Sequence, residues 1–172
     1  KASVLERYIA EGAGNAPASS ELITPTGVQA VDPAGQAPLD DAITCLSRTL
    51  YWEARGEETT DMEAVANVVM NRLAHEGFPD TICGVVTQGS EQGSCQFSWW
   101  CDGRSDKVEE EVPYTIAKKV ARKALNQQLA DHADGALFFH HYKASPSWAD
   151  HYIETLKTDK HIFYKPPNDI AK

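Results

Sequence analysis

Apolar positions recur at helical spacing in three stretches of the chain, and each stretch runs into a residue that stops a helix. Across residues 40–54, Ile43, Leu46 and Leu50 fall on one stripe, with Gly56 just beyond. A second stripe of Met62, Val65, Ala66, Val69 and Leu73 continues to about His75, ahead of Gly77 and Pro79. Thr60 followed by Glu63 predicts a capping box at its start. The third stretch opens near Pro113, a residue suited to a helix's first turn, and is expected to reach about Asp131 before Gly135. Its inward stripe is Ile116, Val120 and Ala124. Two aromatic-rich runs, residues 136–139 and 162–164, are too short for helices and are expected to pair as a small antiparallel sheet. Between them Trp148, Tyr152 and Leu156 recur at fourfold spacing, which predicts a short helix over residues 147–156. The expected class is α+β, mostly helical with a minor sheet.

The chain's ends have a different texture. Residues 12–38 are dominated by Ala, Gly, Pro, Ser and Thr, with Pro17, Pro25, Pro33 and Pro38 spread through them. Such a segment has little apolar surface to offset its ordering entropy, so residues 1–38 are expected to be a flexible tail or linker, apart from a short helix over residues 4–9. The folded domain is expected over residues 39–166, with residues 167–172 a C-terminal tail. Within the domain, residues 81–106 carry Gly84, Gly89, Gly93, Gly103 and three cysteines, the pattern of a short helix followed by a long cross-linked loop.

Composition narrows the function without choosing it. Apolar residues at 42% and charged residues at 24% are ordinary for a globular chain. A formal charge of −9 argues against nucleic acid as a partner, since such binders carry a basic face. Lys118, Lys119, Arg122 and Lys123 cluster at helical spacing and are expected to form a solvated helix face. No apolar run reaches the roughly 20 residues of a transmembrane span. Cys45, Cys83, Cys95 and Cys101 form an even set without zinc-like spacing, so two disulfides in a periplasmic or extracellular protein are expected, with three pairings open. No metal or cofactor is expected: His140, His141 and His151 lie in no HExxH string.

Glu53 breaks the pattern of its own helix. At about 100° per residue, it falls within an arc of roughly 80° shared with Ile43, Leu46 and Leu50, so its carboxyl extends the stripe that faces the core. Burial at the negative end of a helix opposes ionisation, the condition a general acid needs near neutral pH. An ion pair with Arg55 or Arg72, or a side chain turned out to solvent past the helix end, is the plain structural alternative.

Five ordered strings then bear on that choice: WEARGE at Trp52 to Glu57, AVANVVMNR at Ala64 to Arg72, CQFSWWCDG at Cys95 to Gly103, ALFFHHYKASPSW at Ala136 to Trp148, and HIFYK at His161 to Lys165. Together they resemble the cell-wall hydrolase family typified by the spore cortex-lytic enzymes. The QFS loop and the FFH string fit general wall remodelling or lysis better than spore germination. The resemblance implies a lysozyme-like domain that acts on peptidoglycan glycan strands at the bond between N-acetylmuramic acid and N-acetylglucosamine. It also implies that Glu53, the first Glu of the E-A-R-G-E string, is the general acid.

A hydrolytic glycosidase needs a second carboxylate, and Glu57, Glu58 and Asp102 are the available groups. A lytic transglycosylase needs only one, and members of the resembled family are known for that reaction, so it is the favoured reading over a muramidase. Gln96, Phe97, Ser98 and Trp99 offer flat faces and polar edges to sugars, while His140 and Tyr142 follow a predicted strand toward the same cleft. Neighbouring strand residues face opposite ways, so at most one of His140 and His141 lines that cleft, and His161 is expected to be structural. A Cys/His wall peptidase and a glycan-binding module without catalysis are the readings from other classes.

Overall fold

A computed structural model describes residues 2–11, 17–56, 58–89, 97, 99, 101 and 105–167. Helix α1 (Ala2–Ala10), a 3₁₀ turn (Ser19–Glu21) and helix α2 (Pro25–Gln29) precede the central helix α3 (Ala42–Ala54). Helices α4 (Thr59–Leu73), α5 (Ile82–Val86) and α6 (Glu111–Leu125) follow. Strand β1 (Phe138–His141), a 3₁₀ turn (Ser147–His151), strand β2 (Ile153–Lys157) and strand β3 (His161–Lys165) complete the described order.

Helix α3 is the axis of the molecule. Asp41 caps it, accepting the amide of Thr44 at 2.9 Å, and every residue from Ala42 to Tyr51 is buried. Helices α1, α4, α5 and α6 pack against it, and the Cys45–Cys83 disulfide ties it to α5. Polar side chains inside that coat are answered locally. Arg48 pairs with Asp32 at 3.2 Å and donates to the carbonyls of Ala37 (3.2 Å) and Asp106 (2.7 Å).

Part of this coat comes from the segment whose composition predicts a flexible tail, and the structure corrects that expectation. Leu5 and Val28 are completely buried. Asn126 brackets Ile23 through its backbone N–H and C=O, both at 2.9 Å, and Glu6 accepts the amide of Ile82 at the start of α5 at 2.7 Å. Asp32, at a φ of +46°, accepts from the Tyr114 hydroxyl (2.7 Å) and from the amides of Gln36 and Ala37 (2.9 and 2.8 Å). Average composition missed this because a few well-placed apolar anchors and one buried carboxylate do the ordering. Lys118 is also no member of a solvated face: it is buried and donates to the carbonyls of Gln29 and Val31, both at 3.1 Å.

Boundaries shift for identifiable reasons. Helix α4 starts at Thr59 with Glu58 as N-cap, and no side chain caps it, so the expected Thr60 capping box is not formed. Helix α6 stops at Leu125 instead of near Asp131, because Asn126 spends its side chain on Ile23 and Gln127 takes a φ of +58°. The sheet has three strands in the order β1-β3-β2, all antiparallel, with Phe138 opposite Tyr164 and His141 opposite His161. The expected helix over residues 147–156 is a 3₁₀ turn followed by β2: Ile153 and Thr155 are β-branched, and pairing with β3 supplies hydrogen bonds that local spacing cannot foresee.

Two outcomes test this architecture. Replacing Cys45 and Cys83 by Ala together should lower the unfolding free energy by about 3–4 kcal/mol, given the loop closed across 38 residues, as read from urea midpoints. Burial pushes the Asp32 carboxyl up, but bonds from Tyr114, Ala37 and Gln36 and the charge of Arg48 outweigh it and hold the group below the ordinary carboxylate value. Its contribution is therefore present above that ordinary value and lost as pH falls through the lowered one. Asp32→Asn should cost on the order of 3 kcal/mol near neutrality. The variant should also lose less stability than its parent in acid titrations below about pH 4.

Candidate active site

The last turn of α3 is where the wrapped helix surfaces. Tyr51 is buried, Trp52 and Glu53 are half-buried, and the Oε1 atom of Glu53 is shielded from solvent. The carboxyl that the apolar stripe predicts to face inward thus sits at the boundary between core and surface. Arg55 closes the helix, and its backbone N–H donates to the Tyr51 carbonyl at 3.2 Å.

One side of this turn is fastened to the segment before α6. The Tyr51 hydroxyl accepts the amides of Glu109 (3.0 Å) and Glu110 (2.9 Å) and a hydrogen bond from Arg55. Trp52 donates through its indole N–H to the Asp106 carbonyl at 2.9 Å. The Arg55 guanidinium lies 4.7 Å from the Tyr51 ring centre and 4.9 Å from that of Trp52, and it pairs with Glu110 at 3.0 Å. Arg55 is therefore occupied by Tyr51, Trp52 and Glu110. Arg72 is placed among the rings of Phe78, Phe97 and Phe138 and donates to the Leu137 carbonyl at 2.7 Å, with burial pushing its pKa down to about 10.

The other side is fastened to the turn between β2 and β3. Lys160 donates to the Arg55 carbonyl at 2.6 Å. Next to it, the buried His161 places Nδ1 2.9 Å from both carboxylate oxygens of the buried Asp61, in the first turn of α4, and Thr158 donates to the same carboxylate. This turn thus reaches the end of α3 and the beginning of α4 at once. The expectation that His161 is structural agrees with its burial and pairing.

The sheet separates its aromatic residues by face. His140 stacks on Tyr164 at 5.3 Å, with Nε2 2.9 Å from the tyrosine hydroxyl and Trp148 5.7 Å away. His141 instead meets His161 at 5.8 Å and is exposed. Partial desolvation, then the charges of His161 and Lys143, hold its imidazole below the ordinary value. Of the adjacent pair, His141 shares the side of Asp61 and His161, and His140 is engaged in an aromatic cluster on the opposite face. Period-two alternation predicts that the two histidines part, and the contacts of His141 with His161 and of His140 with Tyr164 put them on opposite faces.

Other expected site residues divide sharply. Phe97 is completely buried and Trp99 is 3% exposed, so both pack the core and neither offers a ring face to a sugar, which corrects their assignment as substrate contacts. Tyr142 is 50% exposed, just past the end of β1. Gln96, Ser98, Glu57, Asp102 and Cys95 lie outside the described residues. Cys101 is disulfide-bonded, as are Cys45 and Cys83, so no described cysteine is available as the thiolate nucleophile of a Cys/His peptidase. Among the described residues no group of His, Cys, Asp and Glu is arranged to hold a metal ion, and no helix is long and apolar enough to cross a membrane. Asp61 and Lys160 went unrecognised in the sequence, because each depends on a contact made across 100 or more residues.

Comparisons with known proteins place the chain. The family model described as Cell Wall Hydrolase matches residues 56–164, beginning three residues beyond Glu53. The spore cortex-lytic enzyme of Halalkalibacterium halodurans is 32% identical over 132 residues, which are 76% of this chain and 36% of that protein. The Bacillus cereus enzyme of the same name is 31% identical over 124 residues, covering 72% of this chain and 44% of its own length. The chain therefore spans less than half the length of these curated relatives. Among solved structures, the catalytic domain of the Bacillus cereus SleB protein superposes with a TM-score of 0.58 at 30% identity, covering 72% of this chain and 89% of that one. The catalytic domain of the germination-specific lytic transglycosylase SleB from Bacillus anthracis gives 0.58 at 29% identity, covering 77% and 99%. The fold is α+β, mostly helical and lysozyme-like. With a family match over well more than half of its residues, the chain belongs to the cell wall hydrolase family.

Proposed function

We propose that this chain cleaves the glycan strands of peptidoglycan at the N-acetylmuramic acid–N-acetylglucosamine bond as a lytic transglycosylase, with Glu53 as its single catalytic carboxyl group. The observation that carries the reading is the place of Glu53: it lies in the last turn of a helix buried from Ala42 to Tyr51, with one carboxyl oxygen shielded from water. A carboxyl so placed is disposed to hold a proton and release it to a leaving group. Two described carboxylates have other duties, since Asp61 is held by His161 and Thr158 and Glu110 by Arg55, while Glu58 is exposed at the start of α4. A one-carboxyl reaction fits that distribution.

The protonated Glu53 transfers its proton to the bridging oxygen as the bond from that oxygen to C1 of the muramic acid breaks. The oxygen of the 6-hydroxyl group on the same sugar then closes on C1, and its proton passes to the Glu53 carboxylate. The products are a free 4-hydroxyl on one side and a 1,6-anhydro ring on the other. No water is consumed, and the acid is restored for the next turnover.

Gln96, Ser98 and His140 are the sugar contacts proposed from the sequence, and Tyr142 is added to them for its exposure. The disulfides and the wall substrate favour action outside the cytoplasm, in the periplasm or beyond the cell.

Purified sacculi provide the test. Glu53→Gln should lower the release of soluble glycan by about 10²–10⁴-fold while leaving the melting temperature close to the parent's. Mass spectrometry of the parent's products should show 1,6-anhydro ends, each fragment lighter by one water than a hydrolysis product. Reducing ends would establish a muramidase instead, and undiminished release by the variant would remove Glu53 from the chemistry.

A further inference from the structure

The bond from Lys160 to the Arg55 carbonyl crosses a residue that has no side chain. Gly56 does not adopt a positive φ, so its backbone alone gives no reason for glycine. Space does: a Cβ at this position would overlap the Lys160 ammonium and come within 3.1 Å of its Cε. The missing side chain is the opening through which the ammonium reaches the end of α3.

Lys160 is itself held firmly. Its carbonyl accepts the Tyr142 amide at 2.8 Å, tying the turn to the end of β1. On either side of it, Thr158 and His161 both bond the Asp61 carboxylate, and the His161 amide donates to the Thr158 hydroxyl at 3.1 Å. A long, flexible lysine is thus carried on a rigid base, and its charge is delivered to the carbonyl end of a helix, where the macrodipole favours a cation. That carbonyl belongs to the residue two positions beyond Glu53.

We propose that Lys160 is a positioning residue for the reaction: by bonding the Arg55 carbonyl through the gap at Gly56, it fixes the last turn of α3 and so the orientation of the Glu53 carboxyl. The proposal rests on Glu53 being the acid. Its logic is geometric, because a proton donor displaced by about 1 Å can lose on the order of 10²-fold in rate while the fold remains intact.

Gly56 supplies an independent way to break the same bond. Since the obstructing atoms are the far end of a flexible side chain, Gly56→Ala should evict the ammonium without disturbing the backbone. We expect Lys160→Met and Gly56→Ala each to lower kcat on soluble glycan strands by about tenfold or more, with KM and the melting temperature near the parent values. The double variant should be no worse than the poorer single one, because both changes remove one bond. Lys160→Arg, which keeps a cationic donor, should recover most of the rate. Parent-like kcat in Lys160→Met, losses that multiply in the double variant, or a fall in activity matched by a fall in melting temperature would overturn the proposal. An inactive Glu53→Gln protein beside a fully active Lys160→Met protein would sink this inference alone; a fully active Glu53→Gln protein would sink the reading on which it rests.

Discussion

A helix packed on every side must answer each of its polar groups from within the protein and must surface somewhere. Helix α3 sets both demands. Arg48 in its middle would be a buried cation without recourse, and it is met by Asp32, by two backbone carbonyls and by the geometry that brings them together. Removing one partner from such a pair costs far more than the pair contributes in net terms. The N-terminal segment that supplies Asp32 is consequently bound into the domain, and Tyr114 on α6 is bound to it through the same carboxylate.

The end of the helix meets the second demand. Buried from Ala42 to Tyr51, it opens to the surface within a single turn, and the carboxyl of Glu53 stands at that transition. A carboxyl in the middle of the helix would be sealed from any substrate, and one beyond its end would be fully hydrated. Two separate parts of the chain brace the turn: the segment before α6 through Tyr51, Trp52 and Arg55, and the β2–β3 turn through Lys160. The disulfide to α5 secures the opposite end of the same helix. The placement of this carboxyl is then a property of the whole scaffold.

Much of the plan can be read from local pattern. The stripes of α3, α4 and α6 follow from spacing that any short window contains, and the inward heading of Glu53 follows from its angle relative to Leu46 and Leu50. The even cysteine set pointed to disulfides but left their pairing open, and the resemblance carried by the WEARGE and FFHHY strings supplied the family. Less of the site was legible. Phe97 and Trp99 have the residue types of a sugar platform, yet they are core, since an aromatic ring is equally suited to both and its sequence neighbours do not say which.

What the sequence determined by itself was therefore everything set by interactions within a few residues: helix faces and a charged group on an apolar stripe. Tertiary structure decided that Phe97 and Trp99 are core, that residues 147–156 include a strand, that residues 17–38 pack onto the domain, and that Lys160 meets Arg55. The physical reason is common to all four. Each depends on the free energy of a contact between residues distant along the chain, and such a contact leaves no periodic trace in either partner's local sequence.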